Sequence, residues 1–261
     1  MKLNSLLFSL SLFCAAHMSV AWSAELSLYA KAQAQVEKLN AGSVEEAELH
    51  YHLGMMLNNG NGGAKKDPQS ALVWFRKAAE SGNPLAQYKL GCFYAGQFGL
   101  LKDEAQAFDW KMRAAQAGFS LAQHDVALIF YKRQDYKNTA LWLRAAADQG
   151  EFASMMQFAL LHASKRIPDA DSVLAYAYTK IAADLISAKF TTLPVQREED
   201  KRLISKLQGD IAKAAQELSA ENRSKAEQLV VQWQAKATSV TLAAREGLKA
   251  AERLLQGLEN L

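Results

Sequence analysis

The chain has almost no means of cross-linking itself. Its 261 residues include two cysteines, Cys14 and Cys92. The first sits in an apolar leader, so a processed chain keeps one thiol and no internal disulfide framework. Stability then has to come from packing. Excess charge of either sign is also missing. The 30 basic and 27 acidic residues leave a formal net charge of +3, so nothing points to nucleic acid or an anionic membrane as the partner. Past the leader, no apolar run is long enough to span a bilayer. With half its residues apolar and 22% charged, the chain can build a packed core and does not read as disordered.

Catalytic signatures are absent as well. There is no P-loop, no G-x-S-x-G, no H-E-x-x-H, no EF-hand loop and no S-x-x-K. His50 and His52 flank Tyr51, but two residues apart on a helix they point to different sides. His124 and His162 stand alone. Cys92 has no C-x-x-C partner and reads as a buried inert thiol, with an intermolecular disulfide as the alternative. The mixed run Arg197–Arg202 reads as a solvated helix face. The expectation is no catalytic residue, no metal site and no cofactor.

The leader has the form of an export signal. Lys2 is followed by the apolar run Leu6–Ala16 and then by small residues, with cleavage expected after Ala21 or Ala24. A membrane anchor is the rival, but Asn4, Ser9, Ser11, His17 and Ser19 dilute the run. A lipoprotein at Cys14 would require a small residue where Phe13 stands. A periplasmic or secreted location follows, with no membrane span after cleavage.

What the chain has in abundance is repetition. "DPQSALVWFRKAAESG", "DEAQAFDWKMRAAQAG" and "DYKNTALWLRAAADQG" end at Gly82, Gly118 and Gly150, 36 and 32 residues apart. In each, Asp67, Asp103 or Asp135 opens the stretch as a helix N-cap. Trp74, Trp110 or Trp142 then shares a helix face with Ala78, Ala114 or Ala146. The glycine closes the helix in a left-handed turn. A weaker fourth copy carries Asp171, Tyr178 and Ala182–Ala183, with Ile186 in place of the glycine. A second helix alternates with the first, and Gly54, Gly91, Ala127 and Ala159 recur in it as small residues at sites of close helix contact. Each unit is therefore helix, loop, helix, turn. One pair cannot bury its apolar face alone, whereas stacked pairs bury a continuous core.

The stretch "LAQYKLGCFYAGQFGLLKDEAQAFDWKMRAAQAG" closely resembles a Sel-one-like repeat of the exported bacterial type, a relative of the tetratricopeptide repeat. The resemblance runs from about Glu45 to Ala188. It implies an all-α fold, a right-handed α/α superhelical solenoid of about four helix-loop-helix repeats with C-terminal capping helices. The departures are a shortened loop in the third unit, the loss of both glycines in the fourth, and a glycine-rich "NNGNGG" loop found only in the first. The expected organisation is a signal peptide (1–24), an N-terminal capping helix (25–43), the repeat array (44–188), a linker (189–197) and C-terminal helices (198–261). A final helix is expected over Ser239–Leu258, either capping the array or mediating self-association.

The resemblance also implies an inner groove lined by the first helix of each unit. One column there is Tyr51, Tyr88, His124 and Met156; the next is Met55, Cys92, Leu128 and Leu160, extended by Tyr131 and Lys132. Apolar and aromatic groups along a groove suit a peptide or helix partner. The bland reading is that these residues pack between units. The function implied is a non-enzymatic protein–protein interaction scaffold or adaptor in the bacterial cell envelope. The alternatives are a cell-wall-directed hydrolase or glycan binder, and a secreted host-interaction factor.

Overall fold

The computed structural model describes residues 26–97, 102–191 and 198–259. The leader and its two cleavage points lie outside these, as does most of the 189–197 linker. The described residues form helices and no strand. The helices are α1 (Leu28–Val36), α2 (Val44–Asn59), α3 (Pro68–Glu80), α4 (Pro84–Tyr94), α5 (Glu104–Gln116), α6 (Ser120–Lys132), α7 (Tyr136–Ala147), α8 (Phe152–Ala163), α9 (Ser172–Thr191), α10 (Glu198–Glu217), α11 (Ala220–Gln232), α12 (Ser239–Glu246) and α13 (Leu248–Glu259).

The repeated stretch is the second helix of each unit: α3, α5 and α7. Asp67, Asp103 and Asp135 cap these helices, accepting from the backbone N–H of Ser70, Gln106 and Asn138 at 3.0–3.1 Å. At the far end Gly82, Gly118 and Gly150 adopt φ of 87° to 93°, a conformation that only glycine enters freely. The residue after each glycine returns its N–H to the carbonyl of Ala78, Ala114 or Ala146 at 2.9–3.1 Å, which closes the last turn. Sequence spacing thus becomes a fixed reversal into the next unit.

The units pack in chain order, α2 on α3, α4 on α5, α6 on α7 and α8 on α9, and each pair packs on the next. Contact is closest at the small residues. A Cβ on Gly54 would lie 2.7 Å from the Phe75 ring, and one on Gly91 would lie 3.1 Å from the Ala107 carbonyl. Ala78, Ala114, Ala127 and Ala146 are completely buried. The tryptophans do not form the centre of this core. Trp74, Trp110 and Trp142 are half-buried at its edge, and the cations Lys77 and Arg113 lie over the first two rings at 4.7 and 4.6 Å. The enclosed side chain is the residue after the tryptophan, Phe75 in unit one and Leu143 in unit three. In unit two that position is Lys111.

After the fourth unit, α10 and α11 pack on α9. They bury Ala215 and Ala226 against Tyr176 and Ala177, and the Tyr176 hydroxyl donates to Glu227 at 2.6 Å. The expected single helix over 239–258 is two helices. Gly247, at φ 59° and ψ −126°, breaks it between α12 and α13. The cause is conformational: no helix continues through a residue with that dihedral pair.

Candidate functional site

The face implied by the repeat is carried on α2, α4, α6 and α8, and its four stations differ. On α2, Tyr51 is buried and its hydroxyl pKa is pushed up to about 12 by that burial. Met55 is half-buried. What covers them is the chain's own C-terminal segment. Ala243, Ala244 and Leu248 face Tyr51, His52 and Met55 around a cavity of about 110 Å³, and a second cavity of about 410 Å³ lies between Tyr51, His52 and Leu85 on one side and Val240, Ala243 and Leu254 on the other. His52 lies in the same contact, and burial lowers its pKa to about 4.

This segment, 233–259, is a strap that runs back along the array from the fourth unit to the first. It is fastened at the inter-unit turns. Lys236 donates its N–H to the Asp148 carbonyl at 2.7 Å. The Thr238 hydroxyl donates to the Gly118 carbonyl at 2.9 Å. Thr241 is buried; it donates to Gln149 Oε1 at 2.7 Å and accepts from the Ser120 N–H at 3.1 Å. Gln149 is the hub, since its Nε2 also donates to the Gly118 carbonyl and to Gln123 at 2.9 and 2.8 Å. Beyond this anchor, α13 lays Ala251 and Leu255 against α1 and α2.

On α4 the predicted residues turn inward. Tyr88 meets the Phe119 ring edge-on at 5.1 Å. Cys92 is buried, and that burial raises its thiol pKa against the opposing pull of Lys111. Lys111 pairs with Asp125 at 2.6 Å and reaches to 5.8 Å from the Tyr88 ring. Burial also pushes the Tyr88 hydroxyl pKa well up. A charge pair therefore fills the space that an apolar side chain fills in the neighbouring units. On α6, the His124 Nδ1 is hydrogen-bonded to Ser154 Oγ at 2.8 Å, so His124 ties two units together.

Between α6 and α8 the face stays open. Leu128, Tyr131, Gln157, Leu160 and Arg166 surround a cavity of about 300 Å³, with Leu143 and Leu161 at its floor. Leu160 is 67% exposed and Tyr131 41%. Lys132, next in sequence to Tyr131, is exposed. Met156 faces a cleft of about 1010 Å³ shared with α9 and α10, which Leu160, Lys165, Asp210 and Glu217 also line. The structure thus brings Leu128, Leu160 and Tyr131 together, and places Tyr51, Tyr88, Cys92, His124 and Met156 elsewhere.

Sequence reasoning missed Gln157 and Arg166 at this cavity and the whole Gln149–Thr238–Thr241 junction. Arg166 lies outside the repeated positions. The junction joins residues about ninety or more positions apart, for which one sequence carries no signal. Lys111 was findable, because it breaks the apolar pattern of Phe75 and Leu143. Among the described residues no group of three or more His, Cys, Asp or Glu side chains could hold a metal ion. None of their helices is long and apolar enough to cross a membrane.

Comparison with known proteins gives the repeat its name. Residues 47–83, 84–119 and 120–151 match the Sel1 repeat, so the chain carries three Sel1 repeats in tandem. The fourth helix pair, α8 and α9, follows the same packing outside the matched residues. A Sel1 repeat protein from Oxalobacter formigenes has a similar structure, with a TM-score of 0.54 at 19% identity, covering 84% of this chain and 90% of that one. A protective antigen of uropathogenic Escherichia coli strains, which displays an SLR fold, aligns with a TM-score of 0.55 at 22% identity. That match covers 81% of this chain and 41% of the antigen, so this chain spans less than half of the antigen's length. No curated protein matches the chain. Proteins built of Sel1 repeats are in general protein-interaction scaffolds.

Proposed function

We propose that this Sel1-repeat chain is a non-enzymatic adaptor of the bacterial cell envelope, or of the space beyond it, that holds a partner protein on its inner face at units three and four. The observation that carries the reading is the uneven occupation of that face. Unit one is covered by the strap, unit two is filled by its own Tyr88, Cys92, Lys111 and Asp125, and the α6–α8 cavity is left with Leu160 67% exposed. An apolar concavity with an aromatic rim on a rigid helical frame is a place for a side chain from outside. The location rests on the leader, with Lys2 followed by Leu6–Ala16 and small residues.

The test is partner capture with a matched variant. The tagged chain, carrying its own leader, is cross-linked in intact cells, purified, and its companions identified. The expected result is one stoichiometric protein that is lost in Leu128→Glu/Leu160→Glu while helical content is unchanged. A partner retained by that variant would remove the α6–α8 face from the account. Cell fractionation in the same experiment checks the envelope assignment.

A further inference from the structure

We infer that the α6–α8 cavity takes a leucine-sized side chain from an acidic peptide segment, with a carboxylate of that segment held by Arg166 at the cavity mouth. The inference rests on the reading of this face as a docking site and adds the chemistry of what docks.

The cavity itself is apolar, with Leu128, Leu143, Leu160 and Leu161 among its walls. Its volume of about 300 Å³ is at the lower end of the range for small-ligand pockets, which suits one side chain and not a whole domain. The charged side chain that lines it is a cation. Lys132 and Arg133 end α6; Lys165 and Arg166 follow α8. Arg166 lines the cavity directly. Its guanidinium donates to the Tyr131 hydroxyl and lies 5.8 Å from the Tyr131 ring and 6.0 Å from the Tyr136 ring. These contacts hold the planar cation at the mouth, and a guanidinium so placed can meet a carboxylate through two parallel hydrogen bonds. Arg133 lies over the Phe108 ring at 4.5 Å.

Among the described residues none of Lys132, Arg133, Lys165 and Arg166 forms an ion pair. Glu104 is the acid that feels Lys132 and Arg133, but its ion pair is with Lys102. Asp135 and Asp171 cap the helices that follow, accepting from Asn138 and Val173. Arg166, without an ion pair at the mouth of an unfilled apolar cavity, calls for a carboxylate beside an apolar group on the partner. A uniformly basic or uncharged segment would leave Arg166 unpaired. The strap on unit one shows that this face accepts a chain segment through small and leucine side chains, here Ala243, Ala244 and Leu248.

The probe is a displayed library of random dodecapeptides, selected on the purified full chain and counter-selected on Leu160→Glu. Enriched peptides are synthesised with a fluorophore and titrated by anisotropy. The expected peptides carry leucine or a similar side chain within a few positions of Asp and Glu. Exchanging those acids for Lys is expected to weaken binding by about 10-fold or more, and Lys165→Glu/Arg166→Glu to restore binding of the Lys-bearing peptide, as for a complementary charged rim. Peptides that need Leu160 but show no acidic preference, or that ignore the charge reversal, would overturn the inference and leave the docking reading standing. If no enriched peptide depends on Leu160, the inference falls, and the capture experiment with Leu128→Glu/Leu160→Glu decides separately whether the docking reading stands.

Discussion

Units one and four present the same face of the same kind of helix to opposite ends of the array, and only one of them is covered. On α2 the positions three before and one after the small residue are Tyr51 and Met55; on α8 they are Met156 and Leu160. The first pair lies under Ala243, Ala244 and Leu248, while Leu160 is among the most exposed large apolar side chains of the molecule. The repeat therefore sets where a side chain points, and elements outside the repeat decide whether it is available. The comparison also separates two kinds of stability. Unit one is closed by an enclosed aromatic and by the strap. Units three and four enclose Leu143, Phe158 and Tyr178, with the last two rings 4.9 Å apart, and end their first helices with non-glycine residues at positive φ, Gln134 and Lys165.

The largest expected effect tests the enclosed aromatic. Phe75 is fully buried and lies against Gly54, so Phe75→Ala should cost roughly 3–5 kcal/mol. Trp110→Ala, at the half-exposed edge, should cost clearly less, because solvent already reaches part of the ring. Chemical denaturation of both variants orders them. A tryptophan variant that loses as much as Phe75→Ala would show that the edge position carries the core after all.

The strap comes next. Gln149 joins the turn at Gly118 to Gln123, Thr238 and Thr241. Removing its amide leaves several buried groups without partners, at about 1–3 kcal/mol for an orphaned one. Gln149→Ala should therefore destabilise the chain by about 2 kcal/mol and speed hydrogen exchange through α12 and α13 before it does so in α5 or α7. Exchange that accelerates uniformly would mean that the strap is one cooperative unit with the array. In the selective case Tyr51 and Met55 become accessible, and unit one comes to resemble unit four.

His52 gives a pH handle on the same covered face. Its folded pKa is about 4 because burial disfavours the charged ring, against an ordinary value near 6.5. Between these values the unfolded chain binds the proton and the folded chain does not, so stability falls as pH drops from about 6.5 to about 4 and levels off below. The loss is on the order of 3 kcal/mol when the shift is fully expressed. The pKa values of His50 and His162 are also lowered, mainly by burial, and add in the same direction. His52→Gln should flatten part of the acid limb of a thermal-midpoint profile. An unchanged limb would show that His52 is wetter than its 8% exposure suggests.

How far the sequence carried these distinctions depends on range. Asp67, Asp103 and Asp135 as caps, and Gly82, Gly118 and Gly150 as left-handed turns, were legible because each acts within its own helix end. The stacking of units was legible because the pattern recurs at a fixed offset. Which aromatic is enclosed was less so: Trp74 and Phe75 are adjacent, both apolar, and a small rotation of α3 decides between them. The strap was least legible. Thr238 and Thr241 read as an ordinary helix start, and nothing local shows that their hydroxyls meet Gly118 and Gln149, about ninety or more residues away. Tyr51 and Leu160 looked alike for that reason.

The smallest effect bears on the ends of the first helices. In units one and two the turn after α2 and α4 passes through Gly60 and Gly96 at φ 70° and 94°; in units three and four the same turn passes through Gln134 and Lys165 at φ 60° and 54°. A side chain in this region crowds its own backbone, typically by about 1 kcal/mol or somewhat more. Glycine relieves that crowding but enlarges the conformational freedom of the unfolded chain. Gln134→Gly should therefore raise stability by no more than about 1 kcal/mol. A measured gain would mean that the short α6–α7 turn holds its shape against local strain, with the array supplying the difference. A loss would mean that the Gln134 side chain contributes contacts of its own, and that the ends of α6 and α8, where Lys132, Arg133, Lys165 and Arg166 gather, are shaped by more than the turn.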